Sequence, residues 1–340
     1  MRTTLKDIAR VVGVAHSTVT LALGDNPRIS AEMRQRIQEV ARELGYVPNS
    51  NAQAMRAATS RLVGFIVPNV EDNDSVTIAK EVADCCNEQG LQLVLAMSQD
   101  NPEREYTQLR ALVGAKAAGI VIVPTARPLP ESLALLRYQP IVQAIRSVDA
   151  IQGSHFSFND FEGIRDATIY LLKLGHQRIG YLGSSDQLTT GRNRLAGYKQ
   201  AFVDFGLPTN DELLCTTPPD AKEVDAIVAE LISSERPSAL ILGGSRITAH
   251  AVTTLSKMNL SIPADLSVIG FGDHAWCSWW GPGLTTIGLP FRELGKSVGQ
   301  HLVELVQAGD KSVSQAETVS RALNPFLIAR GSTSAPKREA

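Results

Sequence analysis

At 340 residues the chain is too long for one ordinary domain and points to two or three. No run of eighteen apolar residues occurs, and the start Met1-Arg2-Thr3-Thr4 carries no apolar signal segment. A membrane span and export are therefore not expected, and the protein is placed in the cytoplasm. The four cysteines, Cys85, Cys86, Cys215 and Cys277, lack CxxC spacing and a nearby histidine pair, so they read as free thiols. No metal or cofactor is expected. Asn73-Asp74-Ser75 matches a glycosylation sequon by chance alone, given no secretion signal. The net charge of −2 is unevenly spread: residues 1–61 hold nine basic side chains against five acidic, leaving −6 for the remainder. A small basic head on an acidic body suits contact with a polyanion through the head, although a solvated helix face gives the same count.

In chain order, Thr4 caps a first helix with Asp7 three residues on, and Leu5, Ile8, Val11 and Val12 form its inward stripe until Gly13. A second short helix, about Ala15 to Leu23, buries Val19 and Leu23 and ends at Gly24. Ser30 caps a third, with Met33, Ile37, Val40, Ala41 and Leu44 facing inward; Gly45 ends it and Pro48 prevents continuation. Two short helices joined at a tight turn and braced by a third have helix-turn-helix geometry, in which the second helix enters the major groove. With Val19 turned inward, His16, Ser17 and Leu21 face base edges, and Thr18 and Thr20 offer hydroxyls to phosphate oxygens. A purely structural three-helix bundle is the competing reading.

The run Thr4-Leu5-Lys6-Asp7-Ile8-Ala9, then Gly13-Val14, Ser17-Thr18-Val19, Ala22-Leu23, Pro27-Arg28-Ile29-Ser30 and Leu44-Gly45-Tyr46-Val47-Pro48-Asn49 resembles the head of the lactose/galactose repressor family without a gap. Two positions depart from it. Ala15 stands where the family usually has Ser, and Leu21 where Arg is common. Leu21 gives up a bidentate guanine contact and offers only an apolar one, so the operator is expected to differ at that base pair. The resemblance implies that 49–61 is a hinge, with Asn49 and Ala52 near DNA. By the same resemblance it would fold only on DNA against its twin in a homodimer and wedge Met55 into the minor groove. Taken alone, Ala52, Ala54, Ala57 and Ala58 around Met55 also fit an ordinary Ala-rich linker, too short for a stable isolated helix.

From Leu62 the pattern becomes βαβ. Apolar strand runs at Leu62–Val67, Leu91–Ala96, Gly119–Val123 and Ile141–Ile145 alternate with helical stretches. A second series follows at Arg178–Gly183, Ala239–Gly243 and Leu266–Phe271, with helices near 160–174, 191–205, 221–234 and 246–258. The expected fold is an all-α helix-turn-helix head plus an α/β core of doubly wound sheets, whose ligands lie beyond the strand C-termini. Leu174-Gly175-His176-Gln177-Arg178-Ile179-Gly180-Tyr181-Leu182-Gly183, Arg192 to Tyr198, Ile269-Gly270-Phe271-Gly272-Asp273 and Leu284-Thr285-Thr286-Ile287 also resemble the family. This implies two subdomains, periplasmic-binding-protein-like, with the chain crossing near 158, 288 and 322. The expected division is 1–48 for the head, 49–61 for the hinge and 62–340 for the core. Within the core, 62–157 with 288–321 make one subdomain, 158–287 with 322–333 the other, and 334–340 a disordered tail. That tail is polar without leucine heptads, so a dimer and not a tetramer is expected. His176 reads as a structural turn residue.

Family members that bind sugars place an Asn, an Asp and an Asn-Asp pair at strand ends where this chain has Asp72, Asp74 and Ser75, Ile145, and Gly244 and Ser245; Asp273 matches one acid of a later pair. Arg194 remains, with Thr125, Arg127 and Arg146 at neighbouring strand ends and Trp276, Trp279 and Trp280 after Asp273. Cationic forks beside an aromatic wall fit a small organic acid held by Arg194 and Arg146. The opposing arrangement pairs these arginines with Asp72, Asp74 or Asp160 and uses the tryptophans at a subdomain or dimer contact. Among rival functions, Gly270-Phe271-Gly272-Asp273-His274-Ala275 matches the G-x-G-x-x-A of a dehydrogenase, but Gly281-Pro282-Gly283 forbids the long helix that motif needs. A periplasmic transport component lacks a DNA-reading head. The expected function is thus a non-enzymatic transcriptional regulator that binds a double-stranded operator and a small-molecule effector, most simply as a repressor, alternatively as a corepressed regulator or an activator.

Overall fold

The computed structural model describes residues 3–24, 26–46, 60–71, 73–217, 223–309 and 318–337. It divides into two compact units, Met1–Thr59 and Ser60–Ala340. In the first, helices α1 (Leu5–Val12), α2 (His16–Leu23) and α3 (Ala31–Glu43) follow one another through short turns. The Thr4 N–H and hydroxyl both donate to the Asp7 carboxylate, at 2.9 and 2.6 Å, closing the start of α1. Gly13 takes a left-handed φ of 77° and donates back to Ala9 O, which stops α1 and turns the chain into α2. The three helices bury Ile8, Val19, Ala22, Ile37 and Ala41 against one another. Val11, expected on the inward stripe of α1, is instead 58% exposed: at one residue from Val12 it lies about 100° away around the helix and misses the seam.

The second unit carries two six-stranded sheets. One has the order β11-β5-β4-β3-β1-β2, where β1 is Leu62–Val67, β2 Gln92–Met97, β3 Gly119–Ile122, β4 Ile141–Ala144, β5 Ser154–Phe158 and β11 Ser320–Leu323. The other has the order β12-β10-β9-β8-β6-β7, where β6 is Ile179–Ser184, β7 Leu214–Thr217, β8 Ala239–Gly243, β9 Ser267–Phe271, β10 Thr285–Gly288 and β12 Phe326–Ile328. All pairings are parallel except β10 with β12. Strands β1, β3, β6, β8 and β9 are apolar and buried because helices cover both sheet faces. The chain passes between the sheets after Phe158, after Gly288 and after Leu323, so each subdomain is completed by a later segment of chain.

Helices α4 (Asn73–Glu88), α5 (Pro102–Gly114), α6 (Pro130–Leu136) and α11 (Phe291–Ala308) belong to the first sheet. Helices α7 (Asp160–Lys173), α8 (Thr189–Asp204), α9 (Val224–Glu230) and α10 (Ser245–Leu255) belong to the second. The stretch expected to continue as helix to 234 leaves α-geometry at Leu231 for a wider π turn. The segment from Ser334 is not a free tail as far as Lys337. His176, 1% exposed, has Nε2 2.7 Å from Ser334 O and Nδ1 2.9 Å from Ser238 Oγ. Because a carbonyl only accepts, Nε2 carries the proton. The Ser334 N–H donates to Ser267 Oγ, and Lys337 pairs with Asp265.

Helices α7 and α8 approach so closely that a Cβ on Gly197 would lie 2.2 Å from Phe161 O, a backbone atom. Gly197→Ala is therefore expected to force the helices apart and to lower the unfolding free energy by about 1–3 kcal/mol, measured by urea denaturation.

Candidate DNA-reading helix and ligand cleft

On the head, Thr4, Ala15, His16, Ser17 and Leu21 are exposed, while Thr18 and Thr20 are half-buried. Val19 and Ala22 of the same helix are fully buried, so the three-helix core holds one side of α2 and leaves His16, Ser17 and Leu21 facing out. The Thr20 hydroxyl donates to His16 O at 3.0 Å within the helix. No side chain caps α2 at Ala15, which leaves its first N–H groups without a side-chain acceptor. Asn49, Ala52 and Met55 lie outside the described residues, as does Asp72.

In the core, a cleft of about 120 Å³ opens where the C-terminal strand ends of the two sheets meet. Five of the expected effector contacts line it: Asp74, Ser75, Arg146, Arg194 and Ser245. Three do not. Thr125 is 1% exposed and gives its N–H and hydroxyl to Glu105 of α5, at 2.7 and 3.1 Å. Burial raises the Glu105 carboxyl above the usual carboxylate range, against the pull of these bonds. Asp273 points to Arg330 (2.7 Å) and accepts the Thr286 hydroxyl (2.8 Å). Its carboxyl is held low despite the opposing effect of burial, because Arg330 and Thr286 favour the charged form. Trp276 stacks beside His274, centroids 6.3 Å apart, and packs into the second-subdomain core. Trp280 donates to Ser256 Oγ, and Trp279 is exposed. The aromatic wall consists instead of Phe158, Phe271 and Phe291.

Both arginines expected to grip a carboxylate already hold one. Arg194, on α8, gives Nε to Asp160 at 2.7 Å and Nη1 to Gly243 O at 3.0 Å, and its guanidinium lies 3.9 Å over the Phe271 ring. Asp160 is 2% exposed. Burial pushes its carboxyl upward, and Arg194 opposes that shift. Arg146 is chelated by Asp100 through both terminal nitrogens. Arg246, which the sequence did not single out, pairs with Glu71 at 3.1 Å. Asn69, Asp100 and Thr190 also line the cleft. The cleft is bridged by Asp74, which accepts the Ser245 hydroxyl and faces His274 Nε2 at 3.4 Å, and by Ser147 N–H to Thr189 Oγ1 at 3.3 Å.

The Gly270–Ala275 motif leads into a single four-residue turn, Ala275–Ser278, so it presents no helix N-terminus to a dinucleotide. Among the described residues no helix is long and apolar enough to cross a membrane.

A three-helix head with an outward-facing second helix, joined to a two-sheet core with a cleft between the strand ends, has the architecture of a helix-turn-helix transcriptional regulator. Residues 4–49 match the family described as "Bacterial regulatory proteins, lacI family", and residues 168–333 match a "Periplasmic binding protein-like domain". The chain is 27% identical over 339 residues to the transcriptional regulator GalR of Escherichia coli K12, covering 99% of this chain and 97% of that one. It is 25% identical to DegA of Bacillus subtilis (98% and 99% covered) and 25% to the repressor PurR of Haemophilus influenzae (97% and 98%). The fold matches a lac repressor dimer bound to operator and an anti-inducer with a TM-score of 0.80 at 24% identity, covering 98% and 100%. It also matches a CelR–cellobiose complex with a TM-score of 0.72 at 24% identity, again covering 98% and 100%. The chain belongs to the lactose/galactose repressor family of helix-turn-helix transcriptional regulators; these relatives are regulators and not enzymes.

Arg194→Ala would leave Asp160 buried without its counter-charge. The variant is expected to lose about 3–5 kcal/mol of stability in urea denaturation, with partial recovery in Arg194→Ala combined with Asp160→Asn. Its first effect is therefore on folding and not only on effector response.

Proposed function

We propose that the chain is a dimeric repressor that reads an inverted-repeat operator with helix α2 and changes its grip on DNA when a small, overall uncharged molecule occupies the cleft. The single observation that supports the DNA-reading half is the partition of α2, with Val19 and Ala22 locked into the head core and His16, Ser17 and Leu21 exposed. The uncapped start at Ala15 leaves backbone N–H groups for a phosphate oxygen, and Thr18 and Thr20 flank the reading face. Leu21 would meet a thymine methyl. Residues 49–61 would act as the hinge, with Met55 as minor-groove wedge and Asn49 and Ala52 beside it. Dimer formation is in keeping with the lac repressor dimer of similar fold and with Val76, Leu95 and Met97, exposed apolar residues on α4 and the edge strand β2.

The charge balance of the cleft supports an uncharged ligand over an organic acid. Arg146, Arg194 and Arg246 each face a carboxylate of the protein, so an added carboxylate would compete with Asp100, Asp160 or Glu71 for its cation. The remaining donors and acceptors suit hydroxyls or amides, and CelR, of similar fold, is a regulator solved in complex with cellobiose.

Chromatin-style footprinting across the genome of origin is expected to return an inverted repeat. His16→Ala is expected to relax base preference in the half-sites while keeping non-specific DNA binding, read by fluorescence anisotropy. Light scattering is expected to give a dimer. In a thermal-shift screen of neutral sugars, amides and organic acids, neutral compounds are expected to stabilise the protein; stabilisation by acids alone would reinstate the acid. A rise in operator affinity on ligand binding would mark a corepressed regulator, a fall an induced one, and raised transcription from a bound promoter an activator.

A further inference from the structure

Ile145 ends β4 in a conformation that its side chain disfavours. Its φ is +66°, in the left-handed region where a β-branched residue is a rare outlier and where Gly, Asn and Asp are tolerated best. Arg146 N–H donates to Ala144 O at 2.7 Å, which closes a three-residue turn around Ile145, and Ile145 N–H donates to Phe156 O at 2.8 Å, which holds it. The turn itself would form more easily with glycine or asparagine. Strain of this kind persists where the surroundings enforce it and clusters at ligand sites. Ile145 lines the cleft.

The sheet order explains what Ile145 faces. Along β5-β4-β3-β1 the strand ends present Phe158, Ile145 and Val123 in sequence, and then Asn69, Asp74 and Ser75 from the segment after β1. Phe291, whose ring stands edge-on to Phe158 at 5.2 Å, continues the apolar end. Ser245, bonded to Asp74 across the cleft, continues the polar end. Arg146, next to Ile145 in the chain, is drawn to Asp100 and does not offset this division.

We propose that Ile145 sets the class of ligand the cleft accepts: a small molecule with an apolar or aromatic group against Ile145, Phe158 and Phe291 and with hydroxyls or amides against Asn69, Asp74, Ser75 and Ser245. The inference rests on the cleft being the effector site and names the chemistry of its occupant. A polar group placed against Ile145 would lose its water without gaining a hydrogen bond, whereas an apolar group would gain from leaving water.

The test uses the full-length chain and matched probes: D-glucose, D-galactose and D-xylose, each against its phenyl glycoside at equal concentration, with thermal shift as readout. For at least one sugar, the phenyl glycoside is expected to produce a shift at least threefold larger than the free sugar. Ile145→Asn, which tolerates the positive φ and supplies a polar group, is expected to reduce that ratio at least threefold. Ile145→Gly, which removes the strain without adding a polar group, is expected to reduce it through lost contact; it serves if the Asn variant folds poorly. Equal shifts for free and phenyl forms, or an unchanged ratio in both variants, overturn the inference while leaving the cleft as the effector site. If no phenyl glycoside shifts the protein while another compound of the wider screen does, the inference again fails alone. If no compound of either set does, the cleft reading fails with it.

Discussion

One buried charge organises the core. Asp160 is the first residue of α7, immediately after the chain leaves the first sheet, and it is almost wholly removed from water. A carboxylate in that position is tolerable only with a cation at hydrogen-bond distance, because its uncompensated burial costs several kcal/mol. Arg194 supplies the cation from α8 and reaches onward to Gly243 O at the end of β8 and to the Phe271 face at the end of β9. Four chain segments distant in sequence thereby meet at the floor of the cleft. The geometry of that floor, and of every group above it, depends on this guanidinium being in place.

Above the floor the cleft is spanned by polar contacts between the subdomains. Asp74 holds Ser245 and faces His274, Glu71 holds Arg246, and Ser147 donates to Thr189. Each is a pair across an opening, and on the function proposed above a ligand competing for any of these partners would alter the relation of one subdomain to the other. Ligand occupancy gains a conformational effect only through such differential contacts. The three passages of chain after Phe158, Gly288 and Leu323 are the covalent links about which that relation can change.

Much of this was legible in the sequence, for physical reasons. The head declares itself through helical spacing and caps: Thr4 with Asp7, Gly13, Ser30 and Gly45 all mark ends that the structure also has. Strands buried on both faces read as apolar runs, which is why β1, β3, β6, β8 and β9 were visible. Strand β5, Ser-His-Phe-Ser-Phe, alternates with polar residues, and β10 begins with two threonines whose hydroxyls are bonded by Arg330, Thr333 and Asp273. Neither carries the apolar signal. The site was harder. Asp74, Ser75, Arg146 and Ser245 follow from their places at strand or helix ends and Arg194, inside α8, from the family resemblance, but Trp276 and Asp273 share a loop near the cleft and turn away from it. Asp160, 34 residues from Arg194, was among the carboxylates the sequence offered as partners, whereas Asp100, 46 residues from Arg146, was not, and sequence spacing carries no sign of that proximity.

The most direct test of coupling between head and core is a pair of affinities. The compound that stabilises the core most is titrated into the full-length protein with and without its operator duplex, and the duplex is titrated with and without the compound, at fixed salt. If cleft and head are linked, both factors depart from one, by about 5-fold or more, and are equal to each other, as thermodynamic linkage requires. Two factors of one would contradict the account, since ligand in the core would then leave the hold on DNA untouched.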